Sequence, residues 1–212
     1  MPRDIRKTAT SSERETLDEA YNDTAVQILD VAQALVQSRG YNGFSYRDIA
    51  ERVGIQTATI HYYFTSKGDL AAALVARYRK RLGQRRDALA RAAESPRHRL
   101  ELYSSLFRAL LIDNDQLCLG AMLTAEAASL PSEVVRETTR FFDDNVSWLA
   151  DVIEDGRRSG DFVFADSPFM QARILFAALE GAMLMARAAK DVGMFSSIAQ
   201  AMISQLQGIS DA

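Results

Sequence analysis

Between residues 56 and 67 the chain reads QTATIHYYFTSK, and groups able to make directed contacts follow one another closely. Thr57 and Thr59 offer hydroxyls for phosphate oxygens or base edges, and methyls that can meet a thymine methyl. Gln56 carries the paired amide donor and acceptor that suits adenine, or a phosphate when it is held near a turn. His61, Tyr62 and Tyr63 add a ring nitrogen and two phenol hydroxyls, and Lys67 adds a point charge for a phosphate backbone. Upstream, Tyr46 and Arg47 stand where a helix should begin, and free backbone amides there also favour phosphate. A separate chemistry centres on Cys118, at the predicted start of another helix. The positive end of a helix dipole lowers a thiol pKa and favours the reactive thiolate. Asp113 and Asp115 nearby oppose that effect.

Short helices must position the first group. Ser45 with Asp48 three residues on is a capping signal, so a helix should start after Ser45 with Ile49, Ala50 and Val53 facing inward. Gly54 permits a turn. A second short helix over 57–64 then turns Ile60 and Phe64 inward and leaves His61 and Tyr62 outside. A short helix, a glycine turn and a second short helix make a helix-turn-helix, whose second helix lies in the DNA major groove. An earlier helix over 23–39 repeats Ile28, Ala32, Leu35 and Val36 at helical spacing and ends at Gly40. Tyr41-Asn42-Gly43 forms a tight loop, and Phe44 plugs the small core. Residues 23–68 therefore read as a three-helix DNA-binding unit. Residues 1–22 read as a flexible arm, with Arg3, Arg6, Lys7 and Arg14 in reach of phosphate.

Beyond it every element reads as helix. One runs over 66–93 and carries Leu70, Ala73, Leu74 and Tyr78. Its basic run RYRKRLGQRRDALARAAE reads as a solvated face. Ser95-Pro96 marks a join. Further helices are predicted over 97–112, 117–129, 132–159 (capped by Ser132 and stopped by Gly160), 168–190 after Ser167-Pro168, and 195–207, set off by Gly193.

Composition agrees with an all-α protein. The 212 residues are 48% hydrophobic and 25% charged, with four prolines and no long strand-like alternation. No stretch approaches 18 uncharged apolar residues, so no membrane span is expected. The polar N-terminus lacks the apolar region of a signal peptide. A single cysteine makes no intrachain disulfide and fits a reducing, cytoplasmic location. Residues 1–99 carry 17 Lys and Arg against 12 Asp and Glu, whereas residues 100–212 carry 8 against 16. A basic half joined to an acidic half suits DNA at one end only. His61 and His98 are the only histidines. With no nucleophile elbow, phosphate-binding glycine loop or metal-ligand spacing, neither an enzyme nor a cofactor or metal is expected.

Residues 28–74 resemble the N-terminal domain of the TetR family of transcriptional repressors. The resemblance is carried by Ile28 to Gly40, by Arg47-Asp48-Ile49-Ala50 with Val53-Gly54, and by Thr59-Ile60-His61-Tyr62-Tyr63-Phe64 leading to Ser66-Lys67 and Leu70. The family usually has Tyr at position 61 and often His at 63. His61 and Tyr63 reverse that order, which bears on the base contacts. The resemblance implies a homodimer on palindromic double-stranded DNA, and a helical effector-binding and dimerisation domain over 69–212. A small-molecule effector there would change the separation of the two recognition helices. The implied pocket lies among the fourth to eighth helices, with Tyr103, Phe107, Met122, Phe141, Trp148, Phe176 and Met183 as apolar liners. Cys118, Glu126 and Glu180 are its polar candidates. The segment CLGAMLTAEAASLPSEV is similar to a branch of the family that includes sensors of electrophiles and oxidants. That leaves Cys118 as either a sensor or a small buried residue. The last two helices supply apolar faces for a four-helix dimer bundle: Ile174, Leu175, Ala178, Leu179 and Ala182, with Ile198, Met202 and Leu206. The alternative is an effector-independent DNA-binding protein whose second domain only dimerises or binds a protein partner.

Overall fold

The computed structural model describes residues 21–114 and 116–207, with residues 113 and 114 as backbone only. Arg3, Arg6, Lys7, Arg14 and Asp115 lie outside the described residues, as does the side chain of Asp113.

Polar caps set where the helices begin. The Asn22 side chain accepts the Ala25 N–H at 3.0 Å and starts α1, Asp23–Arg39. Ser45 and Asp48 cap one another's backbone amides and start α2, Tyr46–Val53. Gly54, left-handed at φ 79°, turns the chain into α3, Thr57–Tyr63. Ser66 and Asp69 form a second capping box and start α4, Lys67–Ala92. α5 spans Pro96–Asn114 and α6 spans Leu119–Thr124. A 3-10 turn, Ala127–Ser129, precedes α7, Ser132–Ser159. Ser167 caps α8, Pro168–Ala189, which has proline in its first turn, and α9 covers Val192–Gln205. The described residues contain no strand, and the fold is all-α.

Two elements differ from the sequence expectation. The helix expected over 117–129 is six residues long. The chain leaves α-geometry at Glu126 (φ −111°, ψ 17°), whose carboxylate reaches across to accept the Asn42 backbone N–H at 2.8 Å and side-chain N–H at 2.6 Å. This contact also fixes Gly40, because a β-carbon there would fall 1.8 Å from the Glu126 carboxylate. α9 begins at Val192 rather than 195, because the Asp191 side chain accepts the Gly193 N–H at 2.8 Å. Gly193 is therefore inside the first turn and not a separator.

The first three helices close over the start of α4 with Ile28, Leu29, Leu35, Ile49, Ile60, Leu70 and Leu74 fully buried. α7 packs on α4 and α8, and α8 packs on α9, which returns against α5. The division at residues 68 and 69 falls inside α4, one helix serving both parts, and the buried side chains form one continuous core.

The basic run on α4 is only in part the solvated face expected of it: Lys80, Arg85 and Arg91 are exposed, but its other basic residues are not. Arg77 is buried and bonds Asp30 of α1 at 2.8 Å. Arg79 bonds Glu137 at 2.7 Å and Asp144 at 2.9 Å, both on α7, and Arg86 donates to the Asp144 carbonyl at 2.7 Å. These arginines tie α4 to its neighbours through charge-assisted bonds. α8 is long and apolar enough to cross a membrane by length and composition; here it packs against α5, α7 and α9 and carries Arg173, Glu180 and Arg187.

Candidate functional site

Burial of Ile60 and Phe64 decides which side of α3 is free. Gln56, Thr57, Ala58, His61 and Tyr62 face outward, and Thr59 is half-buried. Tyr62 is 83% exposed, the most exposed large apolar side chain among the described residues. Its ring meets Tyr63 edge-on at 5.1 Å, which stiffens it without covering it. His61 approaches the Thr65 carbonyl at 3.3 Å. Arg47 is exposed at the start of α2 and pairs with Glu51 at 2.9 Å. Such an exposed pair is worth little and yields readily to phosphate.

Three other candidate contact residues point into the unit instead. The Tyr46 hydroxyl donates to the Phe64 carbonyl at 2.9 Å and its ring lies 4.7 Å from that of His61. Burial, with the negative charge of Asp69, pushes its pKa up to about 12. Tyr63 accepts from the Asn22 amide at 2.7 Å, joining α3 to the cap of α1. Lys67 donates to the Phe44 carbonyl and sits 4.1 Å above the Phe44 ring and 4.7 Å from that of Tyr41. Burial lowers its pKa.

In the second domain, ring contacts join residues from four helices. Tyr103 lies 5.2 Å from both Phe107 and Trp148, Phe107 is 6.2 Å from Phe176, and Phe176 is 6.4 Å from Phe141. Tyr78 of α4, 5.6 Å from Phe141, belongs to the same group, although nothing in the sequence marked it as a liner. Met183 is buried, and Met122 and Trp148 are half-buried against this core. Glu126 is not a liner: its carboxylate is committed to Asn42 on the DNA-binding side. Sequence reasoning also missed a buried polar thread. Tyr103 donates to Asn145 Oδ1 at 2.8 Å, Asn145 donates to the Phe141 carbonyl at 2.7 Å, and Arg86 reaches Asn145 at 3.4 Å. The available signal was Asn145 itself, four residues after Phe141 on the buried stripe of α7.

Cys118 is 1% exposed, and its thiol is pushed well above its ordinary pKa by burial and then by Glu180. Amide bonds from Ala121 and Gly120 pull the other way and do not prevail. The helix-start argument for a reactive thiolate is thus overturned: desolvation outweighs the dipole. Both carboxylate oxygens of Glu180 are buried, and neither accepts a hydrogen bond of ordinary length among the described residues. Its pKa rises to about 7, mainly from burial, opposed by the weak Cys118 donor. Two surface grooves, of about 280 and 320 Å³, lie elsewhere, one between α5 and α9 beside Arg97 and Phe195 and one beside Val163, Ile174 and Met202.

α8 carries an uncovered apolar stripe. Phe169, Met170, Ile174, Leu184 and Met185 are all exposed, the last two by 52% and 57%. A β-carbon at Gly181 would meet nothing. Leu175, Leu179, Ala182 and Leu206, expected at a dimer interface, are instead buried in the chain's own core. The helical phase is rotated from the one assumed, because Phe176, Leu179 and Met183 turn toward the rings. Ala178, Ile198 and Met202 are half-buried.

A short link joins the two parts. Gln37 of α1, fully buried, donates to the Leu117 carbonyl at 2.9 Å, and the Leu117 N–H returns to the Gln37 carbonyl at 3.3 Å. α6, which follows at once, packs on both α1 and α7.

Comparison with known proteins fits this geometry. A family model described as bacterial regulatory proteins, tetR family, matches residues 28–74. A solved transcriptional regulator of the TetR family from Agrobacterium tumefaciens is 34% identical, with a TM-score of 0.83 over 86% of this chain and 97% of that one. The transcriptional repressor NemR of Escherichia coli is 24% identical over 78% of this chain and 85% of its own. The transcriptional repressor KstR of Mycobacterium tuberculosis is 31% identical over 63% of this chain and 61% of its own.

Proposed function

Since the chain belongs to the TetR family of transcriptional regulators, we propose that it works as a homodimeric repressor on a palindromic operator and lets go when a small molecule enters the ring-lined interior. The observation that carries the reading is the free face of α3. Thr57, His61 and Tyr62 project from a helix whose other side is locked by Ile60 and Phe64. Gln56 and Arg47 flank them at the surface. Tyr46, Tyr63 and Lys67 act by holding α3 at its angle. Two such helices read two half-sites about one DNA turn apart only if the protein is two-fold symmetric. The exposed stripe on α8 supplies the apolar surface for that symmetry. A cytoplasmic location, where chromosomal DNA lies, follows from the same reading.

Release is built on the Gln37–Leu117 link. An occupant that moves α7 or α8 shifts α6, and α6 is tied to α1 through Leu117. The test is selection of bound genomic fragments, then anisotropy titration on the recovered site at several salt concentrations. A palindrome bound with nanomolar-range affinity and a steep salt slope is expected. Tyr62→Ala should weaken binding by about tenfold or more, the range of one base or phosphate contact. Absence of a specific site, or an unchanged affinity in both Tyr62→Ala and His61→Ala, overturns the reading.

A further inference from the structure

Glu180 is out of keeping with its surroundings. It stands in the middle of α8, with Phe176 one turn before it and Met183 one turn after, both buried. Its two oxygens are withdrawn from solvent and, the weak Cys118 thiol aside, have no hydrogen-bond donor among the described residues. A carboxylate in that position carries a large desolvation penalty unless a partner offsets it. The facing groups are the Cys118 thiol, a weak donor, and the Tyr78 and Tyr103 side chains. The Tyr103 hydroxyl is already given to Asn145. The nearby cation does not pair with it either: Arg86 donates to the backbone carbonyl of Asp144 and to Asn145, its Nε is buried without a partner among the described residues, and its guanidinium lies 5.9 Å from the Trp148 ring centre. An acid without a base thus sits beside a group of packed rings that includes Tyr78 and Tyr103, and ring faces carry negative potential. What Glu180 itself lacks is a positive partner inside this apolar envelope.

The geometry points to a monovalent organic cation as the effector class, its charged centre against Glu180 and its apolar groups among the rings of Tyr78, Tyr103, Phe107, Phe141 and Phe176. This rests on the effector-responsive reading above and gives it a ligand chemistry. The charge is attracted twice, by the carboxylate and by the ring quadrupoles, in a setting where water screens neither. A neutral molecule of the same shape gains only the apolar contact. An anion finds no complementary charge at Glu180 and is repelled once that carboxyl ionises.

Trp148, the single tryptophan, lies 5.2 Å from Tyr103 and reports occupancy by its own fluorescence. The full-length protein is titrated with phenyltrimethylammonium, tetraphenylphosphonium and the neutral tert-butylbenzene. Saturable binding of at least one cation is expected, with the neutral compound weaker by about tenfold or more. Glu180→Gln should lose most of that preference while binding operator DNA as before. Phe176→Leu should weaken the cation and leave the neutral compound nearly unchanged, which keeps the test decisive if Glu180→Gln fails to fold. Equal binding of neutral and charged probes, retained cation affinity in Glu180→Gln, or no saturable cation binding overturns the assignment. Operator binding without any probe is measured on the same samples. If it holds while the cations fail, only the ligand class is wrong. If no specific operator is bound while a cation still saturates Trp148, the regulatory reading fails and the cation site stands.

Discussion

A carboxyl group with its pKa raised to about 7 ties folding stability to pH. The folded chain keeps the Glu180 proton up to about pH 7, whereas the unfolded chain releases it near 4.5. Between those values the folded state binds more protons, so stability is highest below the unfolded pKa and falls as pH rises through about 7. The size is roughly 3 kcal/mol, since each tenfold change in proton affinity is worth about 1.4 kcal/mol. Cys118, Tyr78 and Tyr103 all titrate above their usual range and stay neutral throughout. The lowered carboxyls of Asp48 and Glu154 act with the opposite sign, below this window. Chemical denaturation of wild type from pH 4.5 to 8 should show the fall, and Glu180→Gln should flatten it and be the more stable protein at pH 8. A slope that survives the substitution sinks the account. Lys67 makes a second case. Its amine bonds the Phe44 carbonyl and lies over two rings, so Lys67→Ala should cost about 1–3 kcal/mol, with operator affinity falling for all sequences alike. A thermal melt unchanged within a degree would contradict this. Sequence alone named both residues but gave Lys67 a phosphate as its partner, where the structure gives it the Phe44 carbonyl. Types and spacing show that a lysine follows a recognition helix, yet not that its amine turns back to residue 44.

Helices with a cap written beside them were legible as elements. Ser45 with Asp48, Gly40, Gly54 and Ser167-Pro168 placed boundaries that the structure reproduces within a residue or two, whereas Ser132, expected to cap α7, is its first helical residue behind Pro131 and makes no capping bond. α6 was not legible, because its end is set by a bond from Glu126 to Asn42, 84 residues away, and no local rule encodes that. The same blindness hid the Gln37–Leu117 exchange, in which a glutamine inside an apolar stripe is the only local hint. That exchange should behave as a coupling element. Gln37→Leu leaves the Leu117 carbonyl without its side-chain donor, at about 1–3 kcal/mol. Operator affinity at low temperature should stay within about threefold, while release by a saturating effector should lose most of its amplitude. Full release in the variant would remove the link from the signalling route.

At the scale of the molecule, the charge division and the uncovered stripe belong together. The acidic half is not uniformly free: Glu137, Asp144 and Asp155 are taken up by arginines of α4 and α5. Composition showed the asymmetry but not these pairings, which depend on how α7 lies across its neighbours. The stripe of Ile174, Leu184 and Met185 has the opposite status, apolar and facing outward. A charge placed there should separate a dimer without disturbing either core. Met185→Glu should sediment as a monomer where wild type sediments as a dimer, and its operator affinity should fall by about two orders of magnitude or more as the second half-site is lost. A wild-type monomer at micromolar concentration would refute the two-fold arrangement.

Gly120 has a bearing on heredity. The Phe141 ring occupies the space a β-carbon would take, at 2.5 Å. Alanine there forces α6 and the Phe141 ring of α7 apart, and α6 leads directly back to Leu117 and Gln37. Gly120→Ala should therefore fold, dimerise and yet bind operator poorly with nothing added, as anisotropy on the purified variant would reveal. In a cell carrying both alleles, mixed dimers would have one silenced half. One methyl group, touching neither DNA nor ligand, would make the regulated genes constitutive and the allele dominant.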